Sequence, residues 1–389
     1  MQKNRLAVNF YFLINGFLYA GWVSRLPELQ TLYGINNSQT GMVLLFLATG
    51  ALLAMPFTGY LIVKNGSQKV TRVSALLFCL FIPLLPFFSK LTTLVLLFFL
   101  MGMSTGVMDV AINAQAVLVE QMYKKPIMSS FHALFSGGMM LGAGIASFFA
   151  GWTTSLSFHF LTVVAFAIPL VIWSNINLVR DEKAKSDKEK GASFVLPAKS
   201  LWGIGFICFC CMLGEGAMAD WSTNYMRNIA FSDPVLAPAG LGAFSTAMML
   251  GRILGDKGRM LLGDRKLLII NSMIALSGVL IFVTFPMPLV VITGMFLVGL
   301  GLSVIVPIAY STAGSMKDLT PGVGISMVTT IGYSGFLFGP PIIGFMADWK
   351  GLRVAMIFLA GLFVLMALLT LINNRSVKTL EEVSADSKY

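Results

Sequence analysis

The chain has 389 residues, of which 57% are hydrophobic and 11% charged, with a mean hydropathy of +0.82. A soluble domain carries about 25% charged residues, so a water-soluble enzyme, a nucleic-acid-binding protein and a disordered chain are excluded at the outset. The formal charge of +10 then raises a different question: on which side of a bilayer it lies.

A transmembrane helix needs about 20 apolar residues. Runs of that kind fall at 6–24, 39–63, 71–89, 92–119, 128–150, 157–178, 200–226, 236–258, 267–284, 287–313, 322–346 and 352–373. The first lacks a small-residue cleavage site and is followed by further spans, so it reads as a span and not a signal peptide. Twelve spans put both termini on one side, and 22 of the 27 Lys and Arg residues then share it. Only Arg25, Lys90, Arg227, Lys350 and Arg353 lie opposite. The positive-inside rule makes the crowded side cytoplasmic.

One long polar stretch, Arg180–Lys199, divides the chain. The expected organisation is a six-helix half over 1–178, a cytoplasmic linker over 179–199, a second half over 200–375 and a cytoplasmic tail over 376–389. Solvation explains the linker's charge; an anionic-lipid or partner site is the alternative. The predicted fold class is an all-α membrane protein with twelve transmembrane helices in two six-helix halves. Secondary transporters of this plan hold their site near the midplane, between the halves.

An ionisable group inside the membrane is costly and marks a functional site by default. In chain order, the first span offers Tyr11, Asn15 and Tyr19 at four-residue spacing. The fourth carries Asp109, and 3.6-residue periodicity places Asn113 and Glu120 on its face. Asp109 reads either as a structural carboxyl or as a proton carrier. His132 opens the fifth span as a packing residue or a relay, its titration range suiting exchange with Asp109 if the helices meet. The seventh span holds Glu215, Asp220, Trp221 and Tyr225. An aromatic beside acids and amides suits a polar ring-shaped ligand, whereas an interfacial aromatic belt explains Trp221 and Tyr225 equally well. Arg252 and Asp256 stand four apart at the mouth of the eighth span, spaced to pair as a gate. Ser303, Pro307 and Tyr310 mark the tenth. Each stripe is open to a second reading as helix–helix glue.

Other motifs fail. Gly102-Met-Ser104-Thr-Gly106 matches a nucleophile elbow, but inside a hydrophobic helix instead of a strand–turn–helix. No phosphate-binding loop or metal-ligand spacing occurs, so no cofactor or metal is expected. Cys79, Cys208, Cys210 and Cys211 read as buried thiols in the lipid phase.

The break Gly59-Tyr-Leu-Ile-Val63-Lys64-Asn65-Gly66-Ser-Gln-Lys69 and its counterpart Gly255-Asp256-Lys257-Gly258-Arg259 are short glycine-and-basic turns at corresponding positions. With twelve spans and a central basic loop, the chain resembles the major facilitator superfamily over essentially its whole length. That family's signature is Gly-x-x-x-Asp-Arg-x-Gly-Arg-Lys. Val63 stands where its acid belongs, so a gating pair made by that acid has no first-half counterpart here. Gly106, Asp109 and Asn113 are similar to the fourth-span pattern of fucose-permease-like sugar:proton symporters, whose acid is a Glu implicated in proton coupling. The second acid those permeases use is missing, the region reading Trp22-Val-Ser-Arg25. The run from Glu215 to Ser222 resembles a poorly characterised bacterial branch related to that group.

The resemblance implies a bacterial inner-membrane secondary transporter, not an enzyme, working by alternating access with both termini cytoplasmic. The solute is expected to be small, polar and sugar-like, with coupling to protons through Asp109, Glu215 and His132. Asn15, Tyr19, Asn113, Asp220, Trp221, Tyr225 and Tyr310 are expected to contact it, and Arg252 and Asp256 to gate. The expected partners are solute, protons and membrane lipid, without nucleic acid, and the expected state is a monomer. The alternative is a proton-driven exporter of amphipathic compounds. A transporter-like receptor is the reading from another class.

Overall fold

In hydrocarbon, backbone N–H and C=O groups have no water to bond, so an apolar run satisfies them internally as a helix. The computed structural model describes residues 1–88, 90–124, 127–152, 155–180, 201–314 and 321–372. The polar stretch 181–200, Lys317 and the tail from 373 lie outside the described residues.

The helices are α1 (Gln2–Val23), α2 (Leu26–Tyr33), α3 (Asn37–Asn65), α4 (Ser67–Leu84), α5 (Leu91–Tyr123), α6 (Met128–Trp152) and α7 (Leu156–Asn177). After the central stretch come α8 (Trp202–Asn228), α9 (Ala239–Leu262), α10 (Asp264–Thr284), α11 (Pro288–Leu302), α12 (Ile305–Gly314), α13 (Pro321–Lys350) and α14 (Leu352–Ile372). Among the described residues there is no strand. Eleven segments are long and apolar enough to cross a membrane, with α11 and α12 together forming one. α9, 24 residues long, is not among them and carries Arg252, Asp256, Lys257 and Arg259 in its second half.

Two features depart from the span pattern. α2 is an extra eight-residue helix after α1, opened by Pro27 in its first turn and closed by Gly34 in the left-handed region at φ +62°. The predicted tenth span breaks at Ser303–Val304 into α11 and α12. Pro307 explains the break, because its ring clashes with the carbonyl four residues earlier, that of Ser303. One expected member of a polar stripe is also corrected. Glu120 does not face a path with Asp109; its Oε2 accepts the N–H groups of Ile127 and Met128, both at 2.8 Å, and so caps the start of α6.

In the first half α1 packs on α6 and α7, and α5 on α3 and α4. In the second, α8 packs on α13 and α14, α10 on α11 and α14, and α9 on α11. Gly16 and Gly138 permit the close approach of α1 and α6. A Cβ on Gly16 would strike the Phe135 carbonyl, and one on Gly138 the Leu13 carbonyl, as small residues allow at membrane helix contacts. The halves meet chiefly through α6 against α9 and α3 against α13. The four cysteines are free thiols buried within the bundle, not facing lipid.

The end of the bundle carrying Gln2 and Ile372 is called the terminal end below, and the end carrying α2 the distal end.

Candidate functional site

Helix α8 runs along the seam between the halves and carries Glu215, Asp220 and Asn224 over about 14 Å at 1.5 Å per residue. Nearest the distal end, Asn224 Nδ2 donates to Gln30 Oε1 of α2 at 2.7 Å. One turn further in, the Tyr19 hydroxyl of α1 donates to Asp220 Oδ1 at 2.6 Å. At Glu215 the partner is Arg252 of α9, whose Nη2 lies 3.2 Å from Oε1. The same guanidinium crosses to α6, where Nη1 donates to Ser136 Oγ at 2.9 Å and to the His132 carbonyl at 3.3 Å. Arg252 therefore joins an acid of its own half to a helix of the other. It does not pair with Asp256, the partner its spacing suggested.

Asp109 meets the seam from the opposite side. The Tyr333 hydroxyl of α13 is directed at its carboxyl as a hydrogen-bond donor. Asn113 Nδ2 donates to the Asp109 carbonyl at 2.8 Å and more weakly to Oδ1 at 3.4 Å. All three acids within the spans thus stand where the two halves touch.

The distal end is bridged by further contacts. Asp348, at the end of α13, accepts the backbone N–H groups of Asn37 at 3.2 Å and Ser38 at 2.8 Å. A carboxylate so placed also favours the positive end of the α3 dipole. Glu28 lies between Arg25 at 3.6 Å and Arg227 at 3.8 Å. Burial pulls the Arg25 guanidinium below its ordinary value, and Glu28 opposes that shift. Gln30 is itself held by donation to Thr40 Oγ1 at 2.7 Å.

Toward the terminal end lies a cavity of about 200 Å³, lined in part by Ser129, His132, Arg252, Asp256, Arg259 and Tyr310. Arg259 is fixed by Asp264 at 2.7 and 2.8 Å, and Tyr310 hydrogen-bonds Thr329. The cavity wall is mostly apolar, with Ser129, Arg252, Asp256, Arg259 and Tyr310 set into it, and the distal end above it is bridged.

The structure redistributes the predicted residues. Tyr19, Asp109, Glu215, Asp220 and Arg252 come together at the seam, and His132, Tyr310 and Asp256 at the cavity. Asn15 is nearly enclosed one turn from Tyr19. The His132 ring stands edge-on to Phe12 at 5.2 Å, and among the described residues no hydrogen bond links it to Asp109. Tyr225 is corrected: it donates to the Phe282 carbonyl of α10 at 3.2 Å and packs on that ring, inside the second half. Trp221 is also wholly buried, with its indole N–H unpartnered among the described residues, so neither belongs to an interfacial belt. Tyr11 likewise turns to the Val171 carbonyl of α7. Tyr333, Gln30 and Asp348 were not singled out from the sequence. The polar residues Gln30 and Thr31 beside Pro27 were the available signal for α2.

A family model described as Major Facilitator Superfamily matches residues 8–320. The chain belongs to this superfamily of transporters. As a member, it is 34% identical over 353 residues to an uncharacterised MFS-type transporter of Yersinia pestis, across 91% of each chain. It is 33% identical to the membrane protein MosC of Rhizobium meliloti, across 93% of this chain and 88% of that one. More distant relatives point in two directions. The glucose/mannose transporter GlcP of Bacillus subtilis is 21% identical across 97% of this chain and 96% of its own. The multi-drug resistance efflux pump PmrA of Streptococcus pneumoniae is 25% identical across 79% and 80%. Among solved structures, a variant of the nucleoside transporter NupG superposes with a TM-score of 0.78 at 12% identity, across 95% of this chain and 99% of that one. At that identity the likeness establishes the MFS fold alone.

Proposed function

We propose that this MFS transporter moves a small polar solute, sugar-like in chemistry, in symport with protons. The reading rests on one observation: each of the three membrane-embedded acids lies at the contact between the halves, beside a hydroxyl or guanidinium donor. A proton gained or lost by Asp109 or Asp220 changes a bond between the halves, and one on Glu215 changes the charge balance of Arg252, which reaches α6 of the other half. Symport needs the acid's proton affinity to differ between arrangements of the halves and between the loaded and the empty cavity. Asp109 is the first choice for the proton carrier, with Glu215 next. His132, without a hydrogen bond to Asp109, serves as a cavity wall.

The charged and hydroxyl groups set into the cavity wall, and the sugar named for GlcP, support a hydroxyl-rich solute. The surplus of basic residues at the terminal end supports a cytoplasmic placement of both termini in a bacterial inner membrane. The structure is then closed outward, with its cavity on the inner side. The PmrA likeness favours the second reading, proton-driven export of amphipathic compounds.

The experiment is a thermal-shift screen of purified protein against sugars, nucleosides, amino acids and amphipathic dyes, followed by proton flux in proteoliposomes with the best hit. Proton entry that depends on a sugar or nucleoside supports the proposal. Stabilisation by dyes alone, or solute movement without proton movement, overturns it.

A further inference from the structure

On the outer face of the first half, away from the seam, α3 and α4 both lean on α5 while touching each other little. Between them runs a furrow of about 350 Å³, with Leu61 on one wall, Val73, Leu77 and Phe81 on the other, and Met103 on the floor. Two hydroxyls line it, but Ser74 donates to the carbonyls of Val70 and Thr71 and Ser104 to that of Met101. Their donors are spent on their own helices, as is that of the Asn65 amide at the terminal end, on the Leu61 carbonyl at 3.2 Å, so beyond that end the furrow presents hydrocarbon. From Lys69 to Phe81 it follows α4 for about 18 Å, close to the roughly 15 Å of one leaflet's hydrocarbon.

Its mouth is basic. Lys69 lines the terminal end of the furrow and is exposed. Lys64 is exposed beside it, over the Tyr60 ring. Among the described residues neither has a carboxylate within ion-pair distance. The turn lacks the acid that its signature would place at 63, and Val63 is exposed there instead. An apolar trough one leaflet deep under uncompensated lysines matches a lipid that is itself charged.

We propose that this furrow holds one anionic phospholipid, an acyl chain lying along α4 and the phosphate on Lys69 and Lys64. Charge selects the class: a zwitterionic headgroup supplies no net charge for the two lysines.

Native mass spectrometry of the full chain tests this, with phosphatidylglycerol and phosphatidylethanolamine of identical acyl chains as probes. The wild type should retain one phosphatidylglycerol in preference to phosphatidylethanolamine. Lys69→Gln should weaken retention about fivefold, the effect of one basic side chain near a membrane surface. Leu77→Trp fills the furrow without altering charge and should abolish the adduct. Leu77 is already 40% exposed, so the larger side chain has room, and an unchanged unfolding temperature confirms the fold. Lys350→Gln, at the distal end, should change nothing. Equal retention of the two lipids, no effect of Lys69→Gln or Leu77→Trp, or displacement of the adduct by inorganic phosphate would overturn the proposal.

Discussion

Tyr19→Phe removes one hydroxyl and leaves the ring, which packs edge-on to Trp22 at 5.3 Å. What it takes away is the 2.6 Å bond to Asp220, which ties α1 of one half to α8 of the other. A hydrogen bond to a charged group contributes roughly 1.5–3 kcal/mol. Asp220 is only 5% exposed, so water does not replace the lost donor while the halves stay together. The bond exists only with the distal end closed, so its loss lowers the closed-to-open ratio by the full amount, roughly 10- to 150-fold. Asp220→Asn leaves a carbonyl oxygen for Tyr19 to donate to. A neutral bond retains about 0.5–1.5 kcal/mol, so this variant should open the distal end less.

The assay is a double electron–electron resonance distance between spin labels at Leu32→Cys and Val235→Cys, exposed distal positions on opposite halves. The four native cysteines are buried, so labelling is confined to the introduced pair. Temperature is set so that the wild type shows a measurable long-distance fraction. Tyr19→Phe should enlarge that fraction most and Asp220→Asn less. An unchanged distribution in Tyr19→Phe, or the reverse order, would refute the assignment of this bond as a distal latch.

Four further outcomes follow. Asp109→Asn should lose solute accumulation driven by a pH gradient while keeping solute exchange at equal pH, read in proteoliposomes. Arg252→Gln frees α6 from α9 near the cavity and should shift the same spin-label distances the opposite way to Tyr19→Phe, with the double variant returning toward wild type. Asp348→Asn weakens two bonds at the start of α3 and the charge–dipole term, worth about 0.5–1 kcal/mol at an exposed helix end, so its long-distance fraction should rise only slightly. Gly138→Ala forces a methyl against the Leu13 carbonyl and should cost roughly 1–3 kcal/mol, seen as a lower unfolding temperature in detergent.

Much of the fold was legible because bilayer thickness sets one length scale for every span. The run read at 128–150 is α6 at Met128–Trp152, and that at 352–373 is α14 at Leu352–Ile372. α2 escaped notice because eight residues with a polar face lie below that scale. Candidate site residues were legible where cost alone marks them: Asp109, Glu215 and Asp220 are conspicuous in hydrocarbon whatever they touch. Their partners were not. Tyr333 lies 224 positions from Asp109, and no local periodicity joins two helices from different halves. Spacing also misled where a local pair seemed sufficient. Arg252 and Asp256 are correctly spaced for each other, yet the guanidinium is long enough to reach Glu215 and α6, where it makes three bonds instead of one. Aromatic side chains carried the least information, since Tyr225 bonding a carbonyl inside one half is indistinguishable in sequence from Tyr225 facing a ligand.

The placement of the acids along α8 constrains how the proposed cycle works. Asp220 is held by a donor that closes the distal end, and Glu215 by one that also grips α6 beside the terminal-end cavity. A proton on Asp220 converts a charged acceptor to a neutral one and loosens the distal bridge. A proton on Glu215 removes the counter-charge of Arg252, which is only 13% exposed, and leaves that cation to Ser136 and the His132 carbonyl. The two protonations therefore act about 7.5 Å apart on one helix, one on the distal bridge and the other on the charge balance of the guanidinium that reaches α6. Asp109 sits on the facing side, bound to Tyr333 of α13, which is also the helix whose Asp348 caps α3. Its protonation state thus reaches the distal closure through α13 while the other two act through α8. Two separate helices of the second half report on three acids, and this is why charge at the seam, more than the solute contacts, is expected to govern the direction of the equilibrium.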